Sequence, residues 1–164
     1  MLTWFGRHGD FVRFEIMGYE QPEATDDHDS NWVRVGVVVQ NEQGAWSRNC
    51  GCMTTTDIRF FAQWFTKVVD GIVDDMMMSY EPDLKIQYLI MSEGLHWFGI
   101  CLRYGLGYVS PTSENNASLI VVALSEVERQ QAISYFTDME ARYSRRGRLQ
   151  HQPPLDLPEI DELP

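Results

Sequence analysis

The sequence is poor in cysteine and has no long hydrophobic run. Its three cysteines, Cys50, Cys52 and Cys101, are an odd number, and two of them lie two residues apart on a predicted strand. A disulfide framework needs an even set at loop positions, so we interpret all three as small packed apolar residues. No apolar run approaches the roughly 18 residues that cross a bilayer, and the first residues lack a signal-peptide pattern. The sequence therefore predicts a cytoplasmic protein with no membrane partner.

Motifs for metal binding and catalysis are also missing. The closest cysteines are spaced Cys-x-Cys, and the four histidines, His8, His28, His96 and His151, are scattered along the chain, whereas structural zinc needs four converging ligands. The carboxylates between residues 20 and 29 lack the ligand order of an EF-hand loop. Neither a nucleophile elbow nor a phosphate-binding loop occurs. We therefore predict no catalytic residues, no metal and no cofactor.

What the chain has in excess is negative charge, with a net charge of −11. Its acidic residues gather in a predicted loop at 20–29, in a stretch between Lys67 and Lys85, and in the C-terminal tail. Such a field repels phosphate backbones, so a nucleic-acid partner is not expected, and it speeds encounter with a basic protein. Solubility alone is an alternative explanation of each cluster. The candidate partner-binding residues are Glu20, Glu23, Asp26, Asp27, Asp29, Asp70, Asp74, Asp75, Glu81 and Asp83.

The hydrophobic pattern predicts an α+β domain. Alternating or β-branched segments predict strands over 11–17, 32–39, 45–53, 76–80, 84–91, 97–104 and 117–124. Thr54–Asp57 supplies N-cap candidates for one helix, with Gly71 as the candidate for its end, and Ser125 with Glu128 forms a capping box for a second. Runs of neighbouring strands favour a mainly antiparallel sheet of about seven strands, either curled or split into two layers, with two amphipathic helices.

The domain is predicted to span residues 1–147, with Gly147 as the C-cap of the second helix. Residues 148–164 are rich in proline, leucine and acids, and they predict an extended or disordered tail.

Aromatic residues are numerous, and most fit predicted core faces. Phe60 and Trp64 widen the apolar stripe of the first helix. Others fall near predicted loops or strand ends, where aromatics beside acids would suit a protein interface, although they could equally cap the edge of the core. These are Trp4, Tyr19, Trp46, Tyr104 and Tyr108.

Two short motifs and the order of elements resemble a known family. The motifs are Gly18-Tyr19-Glu20-Gln21-Pro22 and Glu81-Pro82-Asp83-Leu84, set among the Val-rich strand after Trp32, the hairpin return at Gly44–Trp46 and the final strand before a capped helix. Over residues 5–145 this arrangement resembles the WapI-like immunity proteins, small cytoplasmic partners of bacterial contact-dependent toxins. The resemblance implies a protein that neutralises a cognate toxin by binding it, without catalytic residues.

Two other functions stay open at this point. One is a small-molecule-binding or regulatory module with a pocket between sheet and helix. The other is an enzyme, for which Glu93 and His96 are the pair closest in sequence, although both are also explained as turn residues. An exposed edge strand could in addition support a homodimer.

Overall fold

The described part of the chain folds as two β-sheets and two α-helices. The computed structural model describes residues 1–6, 9–109 and 117–146. The strands and helices run, in chain order, β1 Leu2–Phe5, β2 Phe11–Tyr19, β3 Trp32–Asn41, β4 Gly44–Thr54, α1 Thr55–Lys67, β5 Met76–Met78, β6 Leu84–Ser92, β7 Leu95–Leu102, β8 Ser118–Leu124 and α2 Glu126–Arg142. Short 3-10 helices occupy Asp29–Asn31 and Val68–Asp70.

Every strand pairing is antiparallel. The first sheet has the order β1-β2-β3-β4 and the second β5-β6-β7-β8. The two sheets approach each other where β1 ends, through a bridge between Gly6 and Val122 of β8, but they do not close into a barrel. The predicted α+β class, the antiparallel pairing and the two helices are confirmed. The predicted count of about seven strands misses β1, because four residues are too few to display an alternating pattern.

Both helices begin at a capping box. Ser125 Oγ accepts from the backbone N–H of Glu128 at 3.3 Å, and the Glu128 carboxylate accepts from the backbone N–H of Ser125 at 2.8 Å. Thr54 and Asp57 make the same reciprocal pair at the start of α1. These bonds satisfy N–H groups that the first turn of a helix leaves without a partner. The two predicted helix starts are therefore correct.

The helix ends follow the sequence less closely. Gly71 has a φ of +66°, and it ends the 3-10 turn that continues α1, as its left-handed backbone favours. The predicted C-cap at Gly147 and the predicted tail lie outside the described residues, and α2 ends at Arg142.

A group of stacked phenylalanines joins both helices to both sheets. Phe136 of α2 is fully buried and its ring centre lies 5.4 Å from that of Phe61 and 5.8 Å from that of Phe65, both on α1. Phe14 of β2 lies 5.7 Å from Phe136, and Phe98 of β7 lies 5.5 Å from Phe65. Each such pair adds to the energy of burial itself. One core therefore holds all four parts of the fold.

Replacing Phe136 with Ala should lower the free energy of unfolding by roughly 3–5 kcal/mol, because it removes a buried ring and leaves a cavity among three others. Urea unfolding followed by circular dichroism measures this. Val127→Ala is the control, since Val127 lies on the same helix but is exposed. Equal losses in the two variants would show that the phenylalanine group does not hold the core.

Candidate functional site

The first acidic cluster lies in the loop between β2 and β3, residues 20–31, which we call the acidic loop. Side chains of the loop itself hold its backbone in place. Asp26 Oδ1 accepts from the backbone N–H groups of Asp29 at 2.6 Å and His28 at 3.0 Å. These bonds, chiefly the one from Asp29, favour the carboxylate and lower the pKa of Asp26. The Asp29 carboxylate lies 2.9 Å from Nδ1 of His28 and raises the pKa of His28. The loop therefore presents its charges from a hydrogen-bonded turn.

One buried amide, that of Asn31, ties this loop to the rest of the fold. Its Nδ2 donates to the backbone carbonyl of Asp27 at 2.7 Å and to that of Arg146 at 2.9 Å. Its Oδ1 accepts from the backbone N–H of Arg146 at 2.8 Å and from the Thr55 hydroxyl at 3.2 Å. Asn31 is only 7% exposed. The acidic loop, the start of α1 and the segment after α2 therefore meet at a single side chain.

Two arginines beyond α2 partly neutralise the acidic loop. Arg145 Nη2 lies 3.0 Å from Asp27 Oδ2, and Arg146 Nη2 donates to the backbone carbonyl of Pro22 at 2.7 Å. The Arg146 guanidinium also lies 4.6 Å from the ring centre of Tyr19. The sequence shows no Lys or Arg within the loop, yet the fold supplies two from more than a hundred residues away. The local field is consequently weaker than the run of carboxylates suggests.

Glu20 and Glu23 behave differently within the same loop. Glu20 Oε1 lies 3.4 Å from Arg34 Nη2, and its carboxylate occupies the space beside Gly51, where a Cβ would come within 1.5 Å of Oε2. Glu20 is therefore half-buried against β4, whereas Glu23 is exposed.

The second acidic cluster is divided between the two ends of α1. The first residue of α1 lies beside the acidic loop, and the 13 residues of the helix extend about 20 Å at 1.5 Å per residue. Asp70 lies beyond the far end of the helix. Asp74 and Asp75 follow Asp70, and both are exposed. Asp75 Oδ2 accepts from Gln87 Nε2 at 3.3 Å. These three carboxylates form a separate patch.

The remaining two acids of that cluster lie in the turn between β5 and β6. The backbone N–H of Tyr80 donates to Asp57 Oδ2 at 3.2 Å, which brings the exposed Glu81 back to the start of α1 near the acidic loop. Asp83 is only 9% exposed, and its Oδ1 accepts from the backbone N–H of Gly105 at 2.6 Å. The Asp83 carboxylate is therefore occupied inside the fold.

Between the acidic loop and Glu81 lies a concave surface that we name the aromatic groove, defined by His28, Trp32, Phe60 and Tyr80. Its volume is about 310 Å³. The rings of Trp32 and Tyr80 lie 5.4 Å apart at 84°, and the His28 ring lies 5.9 Å from Trp32. Tyr80 is 66% and Phe60 is 44% exposed. The polar residues that line it include Asp27, Asn31, Asp57 and Arg145.

The sequence did not identify this groove. Phe60 was expected to widen the buried stripe of α1, and this was wrong, although Trp64 is buried as predicted. Of the aromatics predicted near loops, Trp4 and Trp46 belong to the core, and Tyr104 is exposed. The available signal was the position of Tyr80 directly before the turn Glu81-Pro82-Asp83, where side chains rarely lie on a core face.

The acid–base pair of Glu93 and His96 that the sequence suggested does not form. Glu93 is exposed in the turn between β6 and β7, while His96 is buried and its Nε2 lies 3.3 Å from Glu126 Oε2 at the start of α2. Arg129 binds both carboxylate oxygens of Glu126, at 2.8 and 2.6 Å, and these bonds lower the pKa of Glu126 to about 2. Arg129 also donates to the backbone carbonyl of Phe65 at 2.6 Å. This polar cluster fastens α2 to α1 and β7.

Other kinds of site find no support in the described part of the chain. Within residues 1–6, 9–109 and 117–146, no three His, Cys, Asp or Glu side chains gather closely enough to hold a metal ion. Over the same residues, no helix has the length and apolar content to cross a membrane. Cys52 is buried, and Cys50 and Cys101 are half-buried thiols.

Comparison with known proteins identifies a family. The model of the immunity protein WapI-like family matches residues 1–144. The chain belongs to the WapI-like immunity protein family. That match includes every candidate partner-binding residue and the four residues that define the aromatic groove of this WapI-like protein, whereas Arg145, which also lines the groove, lies beyond it. No curated protein and no solved structure matches it significantly.

Replacing Asn31 with Ala should lower the free energy of unfolding by roughly 2–3 kcal/mol, because backbone groups that its amide satisfies lose their partners in a buried setting. Urea unfolding measures the loss, and faster hydrogen exchange at the Arg146 amide would locate it. Asn49→Ala is the control, because Asn49 also accepts a side-chain hydrogen bond, from Arg34, but is exposed. A loss no larger than in the control would contradict the role of Asn31.

Proposed function

We propose that this WapI-like protein neutralises a cognate toxin domain by binding a basic surface of it with the acidic loop and the aromatic groove. The observation that carries the proposal is their adjacency: Asp27 lines the groove from within the acidic loop, which also carries Asp26 and Asp29, and Glu81 directly follows the groove residue Tyr80. Exposed aromatic side chains ringed by charge are typical of the residues that dominate binding energy in protein interfaces. Membership of an immunity family supplies the class of partner.

The charge distribution favours a basic partner. Of the ten predicted acids, Glu23, Asp26 and Asp27 are exposed on the acidic loop and Glu81 is exposed directly after Tyr80, while Asp70, Asp74 and Asp75 form the second patch at the far end of α1. Acidic surfaces of this kind attract a basic protein over a distance and raise its association rate. We assign direct contact to the acids around the groove and long-range attraction to the second patch. A cytoplasmic location and inhibition without catalysis are parts of the same proposal.

Neutralising the acidic loop should slow association with the toxin domain about tenfold and weaken the salt dependence of binding, because charges at an interface act mainly on the association rate. The variant is Glu23→Gln with Asp26→Asn and Asp29→Asn. Asn at position 26 keeps an oxygen that can accept the loop's hydrogen bonds. Surface plasmon resonance at several salt concentrations, with the toxin encoded beside the gene of this chain, measures both effects.

The matched control carries Asn at positions 70, 74 and 75, which removes the same number of negative charges from the far end of α1. It should slow association less than the loop variant does. Equal effects would show that only total charge matters, and an unchanged rate in both variants would refute the electrostatic part. Failure of the unmodified chain to rescue cells that express the toxin would refute inhibition itself.

Self-association through an exposed strand stays a prediction. In the described residues, β4 and β5 lie at outer edges of the two sheets, whereas β1 and β8 approach each other at the Gly6–Val122 bridge. A second copy would therefore have to add to β4 or β5, and β5 has only three residues.

A further inference from the structure

The aromatic groove combines features that recognise a planar cation. The rings of Trp32 and Tyr80 stand at 84° with centres 5.4 Å apart, so they form a corner in which a cation can lie over one ring and beside the other. Tyr80 is held in place by the bond from its backbone N–H to Asp57. Phe60 also lines the groove, and the guanidinium of Arg59 lies 5.4 Å from the centre of its ring.

The charged side chains of the groove also suit a planar cation. Asp27 lines the cavity, and its carboxylate is exposed and paired with the guanidinium of Arg145. That pair is half-exposed on both sides, so it is weak and can exchange partners. Asp57 also lines the groove and is buried, and its Oδ2 accepts hydrogen bonds from the backbone N–H groups of Thr54 and Tyr80. The nearby cations are Arg59, Arg145 and, when protonated, His28.

From this geometry we infer that the aromatic groove receives an arginine side chain of the toxin, stacked on the face of one ring of the Trp32–Tyr80 pair, beside the other ring, and paired with Asp27. The inference rests on the proposed function, since it names the chemical group by which the partner is held. Arginine suits the site better than lysine because a guanidinium is planar, stacks on aromatic faces and binds a carboxylate through two donors. Within the chain itself, the guanidinium of Arg59 lies over the ring of Phe60, and that of Arg145 pairs with Asp27.

The first test uses no toxin. The full chain, labelled with nitrogen-15, is titrated with N-acetyl-arginine amide, and the indole signal of Trp32 is assigned with Trp32→Phe. The signal should shift saturably at millimolar ligand, which is the range expected for a single anchored side chain. N-acetyl-citrulline amide has nearly the same shape without the charge, and it should bind at least tenfold more weakly. No shift with the arginine probe, or equal shifts with both probes, would overturn the inference.

The second test links the groove to the partner. Tyr80→Leu should abolish the arginine-induced shift and weaken toxin binding at least tenfold through faster dissociation. Tyr104→Leu is the control, because Tyr104 is equally exposed but lies outside the groove. Normal toxin affinity of Tyr80→Leu would overturn the inference and leave the proposed function standing. A guanidinium response in a chain that neutralises no toxin would instead refute the proposed function and, with it, the identity of the partner.

Discussion

The surface at the start of α1 depends on the side-chain amide of Asn31. This buried amide bonds the acidic loop, the first residue of α1 and the segment after α2 together. An amide suits this position because it offers donors and an acceptor at once, and the three segments present both carbonyl and N–H groups. An aspartate could not donate, and an apolar residue would leave buried backbone groups unpaired. The wall of the aromatic groove that carries Asp27 and Arg145 is therefore built around a neutral side chain.

Negative charge has two separate uses in this fold. Some carboxylates accept hydrogen bonds that hold the fold together: Asp57 and Glu128 complete capping boxes, and Asp83 accepts from the backbone N–H of Gly105. Others are left on the surface, where they are free to act on a partner. Because burial of a carboxylate is tolerated only when hydrogen bonds replace its water, the buried set can be recognised by its partners rather than by its position in the sequence. The net charge alone cannot separate these groups.

Local signals in the sequence were sufficient for most of the fold. The capping boxes and the alternating strands depend on neighbours a few residues apart, so the starts of both helices and seven of the eight strands were predictable. The aromatic groove was not, because residues 28, 32, 60 and 80 come from a loop, a strand, a helix and a turn. Phe60 illustrates the limit: it lies beside Phe61, and only the direction in which α1 packs decides that one ring is buried and the other exposed.

The separation of the two acidic patches along α1 has a consequence for how a partner would be bound. Charge that acts over a distance needs no exact position, so the patch at the far end of α1 can still accelerate encounter at low salt. Retention of the bound partner depends instead on desolvated contacts, which are the contacts that an aromatic groove can provide. Association and dissociation would then be controlled by different residues of one surface. In such an arrangement the acids can vary in number and place, while the corner formed by Trp32 and Tyr80 tolerates little change, because its recognition depends on the angle and spacing of two rings.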